Sequence, residues 1–227
     1  MIENKMFCFQ CQETAKGTGC TIKGVCGKEA ETSKWQDLLI SVVRGIGTIQ
    51  HALGGKPSKE VADYIVDSLF ATITNANFDD QSILNKVDTG LSIKKKLIEE
   101  ASNKNISLPD YQEVRWGGEK SDYSEEGIRE GVLRNENPDL RSLKELTILG
   151  LKGMSAYYDH ASRLDETNDE IIAFMCKALS EISNPNADMD TLISLVLETG
   201  KYGVDAMALL DKANTSAYGN PEITKVN

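Results

Sequence analysis

A chain of 227 residues, 40% of them apolar, is long enough to bury a sizeable core without relying on disulfides. Its 35 acidic against 25 basic residues leave a formal charge of −10, which argues against general nucleic-acid or anionic-membrane binding, because both need a basic surface. No apolar run approaches the ~20 residues of a membrane-spanning helix, and "MIENKMFCFQ" lacks the basic and then apolar regions of a secretory signal, so a cytoplasmic, thiol-preserving setting is expected.

The first predicted element, residues 1–32, is a cysteine-rich loop. Four of the five cysteines, Cys8, Cys11, Cys20 and Cys26, stand in "FCFQCQETAKGTGCTIKGVCGKEA" with the spacing Cys-x2-Cys-x8-Cys-x5-Cys. An x2 pair places two thiolates on one turn, and two longer returns bring back the others to complete a four-sulfur set around one centre. Structural zinc and an iron-sulfur cluster both suit such a set, and spacing alone leaves them level. Disulfides fit poorly with a chain that shows no export signal. Gly17, Gly19, Gly24 and Gly27 let the backbone fold closely around a bulky centre and turn N–H groups toward sulfur. Lys16, Lys23 and Lys28 offset its charge: residues 1–28 carry a local balance of +2 in an otherwise acidic chain.

Behind the cysteines the chain reads as helices. From Lys34, "KWQDLLISVVRGIGTIQHAL" shows long apolar runs at helical spacing and stops at "GGKPS". A second helix starts with Ser58 as N-cap and repeats Val61, Ile65, Leu69 and Ile73 on one face. A third is predicted from about Asp79 to Asn103, closing a first three-helix bundle over 33–106. Residues 107–139 hold Pro109, Gly117 and Gly118 and show no long period; they are predicted to be a linker with one short helix around 125–133. Three more helical stretches fill 140–214, and 215–227 form a tail.

The two helical stretches resemble each other. A shift of 108 residues sets "QDLLISVVRGI" on "KELTILGLKGM", matching Leu38 with Leu146, Ile40 with Ile148 and Gly45 with Gly153. A shift of 110 matches Leu69 with Leu179, Asp80 with Asp190, Ile83 with Ile193 and Thr89-Gly90 with Thr199-Gly200. A glycine inside a helix costs ~1 kcal/mol against alanine, so its recurrence predicts close helix approach in both copies. The expected fold class is all-α: two similar three-helix bundles, each packed antiparallel, preceded by the cysteine loop.

Other candidate residues read as structural. Cys176 sits on an apolar helix face and is expected to act as a small hydrophobe. His51 and His160 lie near helix ends without a Cys or His partner one turn away, and Glu125, Glu126 and Glu130 are expected to form a solvated face of a short exposed helix. Trp35, Trp116, Tyr157 and Tyr158 are given no functional role.

The block "MFCFQCQETAKGTGCTIKGVCGKEAE" resembles the N-terminus of the hybrid-cluster protein family, also called prismane proteins or hydroxylamine reductases. It combines the cysteine spacing with Gln10, Glu13, Thr14, Ala15, Gly17, Gly24, Val25, Cys26 and Gly27 in the family's places, and "WQDLLISVVRGI" is also similar. The resemblance implies that Cys8, Cys11, Cys20 and Cys26 hold a [4Fe-4S] cluster, and that the surrounding domain is built of two three-helix bundles. It further implies an external electron donor protein and two following α/β domains that hold a hybrid iron-sulfur-oxygen cluster, where hydroxylamine is reduced to ammonia. Family chains run to more than twice this length, so this chain is expected to be an electron-transfer fragment without activity of its own. The alternative from the residues alone is a zinc-stabilised helical interaction module with no redox function.

Overall fold

The computed structural model of the protein describes residues 6–225. Among them are eight α-helices and no strand; the one ladder-like pairing is an isolated antiparallel bridge between Cys8 and Cys20. The helices are α1 (Ala30–Leu53), α2 (Lys59–Ala71), α3 (Asp80–Asn103), the short α4 (Gln112–Arg115) and α5 (Tyr123–Arg129), then α6 (Pro138–Ser162), α7 (Asp169–Ser183) and α8 (Met189–Tyr218). The all-α expectation holds.

Most helix starts carry a side-chain cap: Ser58, Asp79, Asn137, Asn168 and Asp188 each accept a backbone N–H from the first turn. α1 lacks one, since the Glu29 side chain takes no N–H from the first turn, and it therefore begins ahead of Lys34 with no sequence signal. Gly54, at a φ of 69°, ends it where a β-carbon would be strained. α8 continues to Tyr218, one turn beyond its expected end.

α1 is the central element. Sixteen of its 24 residues are buried, more than one apolar stripe supplies, so the helix is enclosed on several sides. It packs on α3, as α6 packs on α8, which gives the two triplets the same first-to-third pairing. The middle helices cross over: α7 lies mainly against α1, and α2 mainly against α6. Leu38, Val42, Leu69 and Ile83 thus share one continuous apolar core with Leu151, Ile172, Leu179 and Leu192. The reason is geometric, because α2 and α3 alone cannot cover a first helix that is apolar on so many sides.

The internal match is correspondingly uneven. Leu69 and Leu179 are both fully buried, but Leu38 and Ile83 are buried where Leu146 and Ile193 are 52% and 43% exposed. Close approach at the paired glycines occurs in the first copy only. A β-carbon on Gly90 would run into the Tyr64 hydroxyl and Val42, and one on Gly45 into the Glu113 carbonyl, whereas Gly153 and Gly200 have open space. In the second copy the tight contact moves to Gly150, which receives the Thr199 methyl.

The 107–139 segment is packed down rather than slung between bundles. Arg44 is 6% exposed in α1 and pairs with Glu113, its guanidinium also lying 3.7 Å from Glu130. Arg134 bridges the same two carboxylates, reaching Glu113 at 2.8 Å. Lys94 of α3 donates to the backbone carbonyls of Glu113 and Trp116, each at 2.6 Å. Tyr123 donates to Asp88 at 2.7 Å. The expectation of a solvated acidic face therefore fails for two of its three residues: Glu125 is exposed, but Glu126 is 1% and Glu130 7% exposed. A buried arginine requires anions around it, and Glu126 in turn pairs with Arg129.

Two stability tests follow from this packing. Gly90→Ala is expected to destabilise by roughly 1–3 kcal/mol through overpacking, while Gly200→Ala is neutral or gains up to ~1 kcal/mol, read from urea unfolding midpoints. Arg44→Ala leaves Glu113 and Glu130 without their buried partner and is expected to cost roughly 3–5 kcal/mol in the same assay.

Candidate metal centre

The cysteine loop closes on itself through its backbone. Cys8 and Cys20 exchange N–H to carbonyl hydrogen bonds at 3.1 and 2.8 Å, which brings the first and third cysteines side by side. Thr14 locks the intervening turn by donating its hydroxyl to the Cys8 carbonyl at 3.1 Å. Farther on, Gly24 N–H donates to the Lys28 carbonyl at 2.8 Å and Gly27 N–H to the Gly24 carbonyl at 2.9 Å, folding the Cys26 turn back. A β-carbon at Gly19 would stand 2.6 Å from the Phe7 ring, and one at Gly24 3.0 Å from Cys26 Sγ, so both glycines are there for close approach.

The thiols differ in setting. Cys20 is buried, Cys8 and Cys11 are half-buried, and Cys26 is exposed. Ala15 N–H donates to Cys20 Sγ at 3.4 Å, Val25 N–H also donates to it, and the Thr14 hydroxyl lies 3.6 Å away. These donors, Ala15 foremost, hold the Cys20 thiol below the ordinary cysteine range against the opposing effect of burial, with Lys28 adding a smaller pull. The N–H groups that reach sulfur are thus those of Ala15 and Val25, while the glycines shape the turns that aim them.

Of the three lysines expected to balance the charge, one is aimed at the thiols. Lys28 is 1% exposed, with Nζ 4.0 Å from Cys8 Sγ and donating to Gln36 Oε1 at 2.6 Å. Gln36 is itself oriented by donating to the Asn77 carbonyl at 2.9 Å. Lys16 is exposed, and Lys23 pairs with Glu29 at the surface. A second buried ammonium comes from the helical body: Lys152 of α6, 3% exposed, donates to Gln10 Oε1 at 3.1 Å and to the Thr72 carbonyl at 3.0 Å. Sequence reasoning passed over Lys152 and Gln36. The available signal was a charged or amide side chain among apolar neighbours on a core face, as in "ILGLKGMSAYY".

Among the described residues no three histidine, cysteine, aspartate or glutamate side chains meet at a spacing that would hold a single metal ion. The loop does have the chemistry of a thiolate site: aimed N–H donors, a lowered thiol and a buried cation beside sulfur. Cys176 is apart from it, 2% exposed in α7, with burial pushing its thiol up to about 12. His51 and His160 are exposed, His160 lying edge-on to Phe70. Trp116 packs against Tyr123, and Tyr158 is buried while Tyr157 is exposed. No helix of the described residues is long and apolar enough to cross a membrane.

Comparison with known proteins matches residues 6–227 to the model of the Prismane/CO dehydrogenase family. The chain is 51% identical over 224 residues to a protein named hydroxylamine reductase from Bacteroides thetaiotaomicron, covering 98% of this chain and 40% of that one. It is 48% identical to the proteins of the same name from Desulfitobacterium hafniense and Porphyromonas gingivalis, covering 98% and 100% of this chain and 41% and 42% of theirs. The chain spans about two-fifths of the length of these relatives.

The contrast between the loop thiols and Cys176 is measurable by alkylation of metal-free protein followed by mass spectrometry. Cys26 is expected to label in the folded state, and Cys176 slower by orders of magnitude, its modification tracking global unfolding.

Proposed function

Because this chain belongs to the Prismane/CO dehydrogenase family, we propose that it is the N-terminal electron-transfer part of a hydroxylamine reductase, with Cys8, Cys11, Cys20 and Cys26 as ligands of a [4Fe-4S] cluster. The observation that carries this is the conjunction of near-half identity along the whole chain with a loop whose donors and buried lysine point at its thiols. When bound, such a cluster supplies a one-electron acceptor and donor. The chain's own part is to direct N–H groups of Ala15 and Val25 at Cys20, which favours its thiolate, and to set the Lys28 ammonium beside Cys8. These features stabilise added negative charge and so raise the potential of a centre held there.

An external one-electron carrier protein is the partner on the supply side. On the delivery side, the apolar stripe that α8 leaves exposed, Met189, Ile193, Leu197, Val204 and Met207, is the proposed docking surface for α/β domains of the whole protein, whose relatives are more than twice as long as this chain. Reduction of hydroxylamine to ammonia and water consumes two electrons and two protons, and belongs to that part.

Anaerobic purification with iron and sulfide analysis tests the assignment. About four irons and four sulfides per chain, with broad visible absorption that bleaches under dithionite, are expected, and Cys8→Ser or Cys20→Ser abolishes most of it. A colourless anaerobic sample holding one zinc would overturn it in favour of the zinc-stabilised module. The 227-residue chain alone is expected to turn over no hydroxylamine.

A further inference from the structure

Three neighbouring cavities lie against α1 and the turn at 130–134, two of them also walled by α6, and none of them is accounted for by the cysteine loop's own chemistry. They measure about 40, 260 and 20 Å³, and Asp37 of α1 is the one titratable residue among the described ones that lines all three. The smallest is walled by Cys8, Gln10, Glu145 and Lys152. The largest reaches the surface at Leu133, which is 47% exposed. The third continues past Glu130 and Arg134. Counted as room for a water's centre, each exceeds the ~10–15 Å³ that one water needs, and each is lined by polar groups that would hold it.

No described residue gives the Asp37 carboxylate a hydrogen bond or an ion pair. Glu145 and Lys152 from α6, Lys28 from the cysteine loop and Glu130 from the end of α5 act on its charge, and Lys34 and Arg44 of α1, Arg134, and Arg141 and Lys144 of α6 line the same cavities. Glu145 is faced by the same Lys152, by Arg44 of α1 and by Arg141 of its own helix. Enclosure pushes the Asp37 carboxyl up to about 8, the like charge of Glu145 adding to the effect while Lys152 and Lys28 oppose it. Glu145 is raised for the same first reason, and burial brings the Lys152 ammonium down to about 8. Asp37 and Lys152 therefore exchange protons near pH 8, with Glu145 shifted in the same direction as Asp37, at the end of a cavity that also touches Cys8.

We propose that Asp37 and Glu145 form a proton-exchanging pair which takes up one proton from solvent, through these cavities, when an electron is placed on a centre beside Cys8. The inference rests on the reading of the cysteine loop as a redox site. Added negative charge raises the proton affinity of a nearby carboxylate, and Lys152, which feels Cys8 and both carboxylates, links the two. The balance is one electron from a one-electron donor and one proton from bulk water, forming an O–H bond on Asp37 or Glu145. No bond at a cysteine is made or broken.

The test is the midpoint potential of anaerobically purified protein, titrated with dithionite from pH 6 to 10 and followed by visible absorption. With the carboxyl already protonated in both redox states below about pH 8, the potential is expected to be flat there. Above it, the potential falls toward about 59 mV per pH unit, the equivalent of one proton per electron. Asp37→Asn with Glu145→Gln is expected to remove the slope while leaving the visible spectrum unchanged; should the double variant not fold, Glu145→Gln alone is expected to reduce it. A wild-type potential independent of pH with an intact spectrum, or a slope that persists in the variants, overturns this inference and leaves the proposed function standing. A protein without any cluster spectrum overturns both.

Discussion

The burial of charge on α1 is the constraint on which the rest of this structure depends. A helix enclosed on several sides ordinarily carries only apolar side chains, yet α1 holds Lys34, Gln36 and Arg44 buried and Asp37 half-buried. Each of the buried three is answered by a particular partner from elsewhere in the chain: Lys34 by Ser124, Gln36 by Lys28 and Asn77, and Arg44 by Glu113 with Glu130. A desolvated arginine without anions would cost several kcal/mol, so the 107–139 segment is drawn down onto α1 to supply them. The cysteine loop is anchored in the same way, through Lys28 to Gln36 and through Gln10 to Lys152.

This arrangement places the thiols at the end of a polar seam inside an otherwise apolar body. Helix exchange makes the seam possible. Because α2 packs on α6 and α7 on α1, α6 comes beside the first half of the chain and brings Lys152 and Glu145 to the cysteine loop. Two separately closed bundles would have kept those groups in the second. The internal repeat thus supplies matching helices, while the different side chains of its copies make one half the wall of the site and the other half a surface with an exposed apolar stripe on α8.

The helices themselves were legible in the residues, through 3.6-residue periodicity and through the Ser58 cap. So were the cysteine spacing and its family block, since four thiols within 19 residues constrain the loop locally. α4 and the burial of Glu126 and Glu130 were not legible, because a short segment has no period to read and the anions that Arg44 draws in, Glu113 and Glu130, meet it from far along the chain. The role of Gly90 was readable as a cost without compensation, but its twin Gly200 shows that recurrence of a glycine does not establish close approach.

What the sequence by itself determined is therefore whatever is set within a few turns of chain: helix type, the four loop cysteines and their spacing, and the apolar setting of Cys176. Only the tertiary structure decided which lysine faces sulfur, which helices cross between the triplets, and which carboxylates lose their water. Those outcomes depend on desolvation, and desolvation is a property of what packs around a group rather than of the residues beside it in the chain.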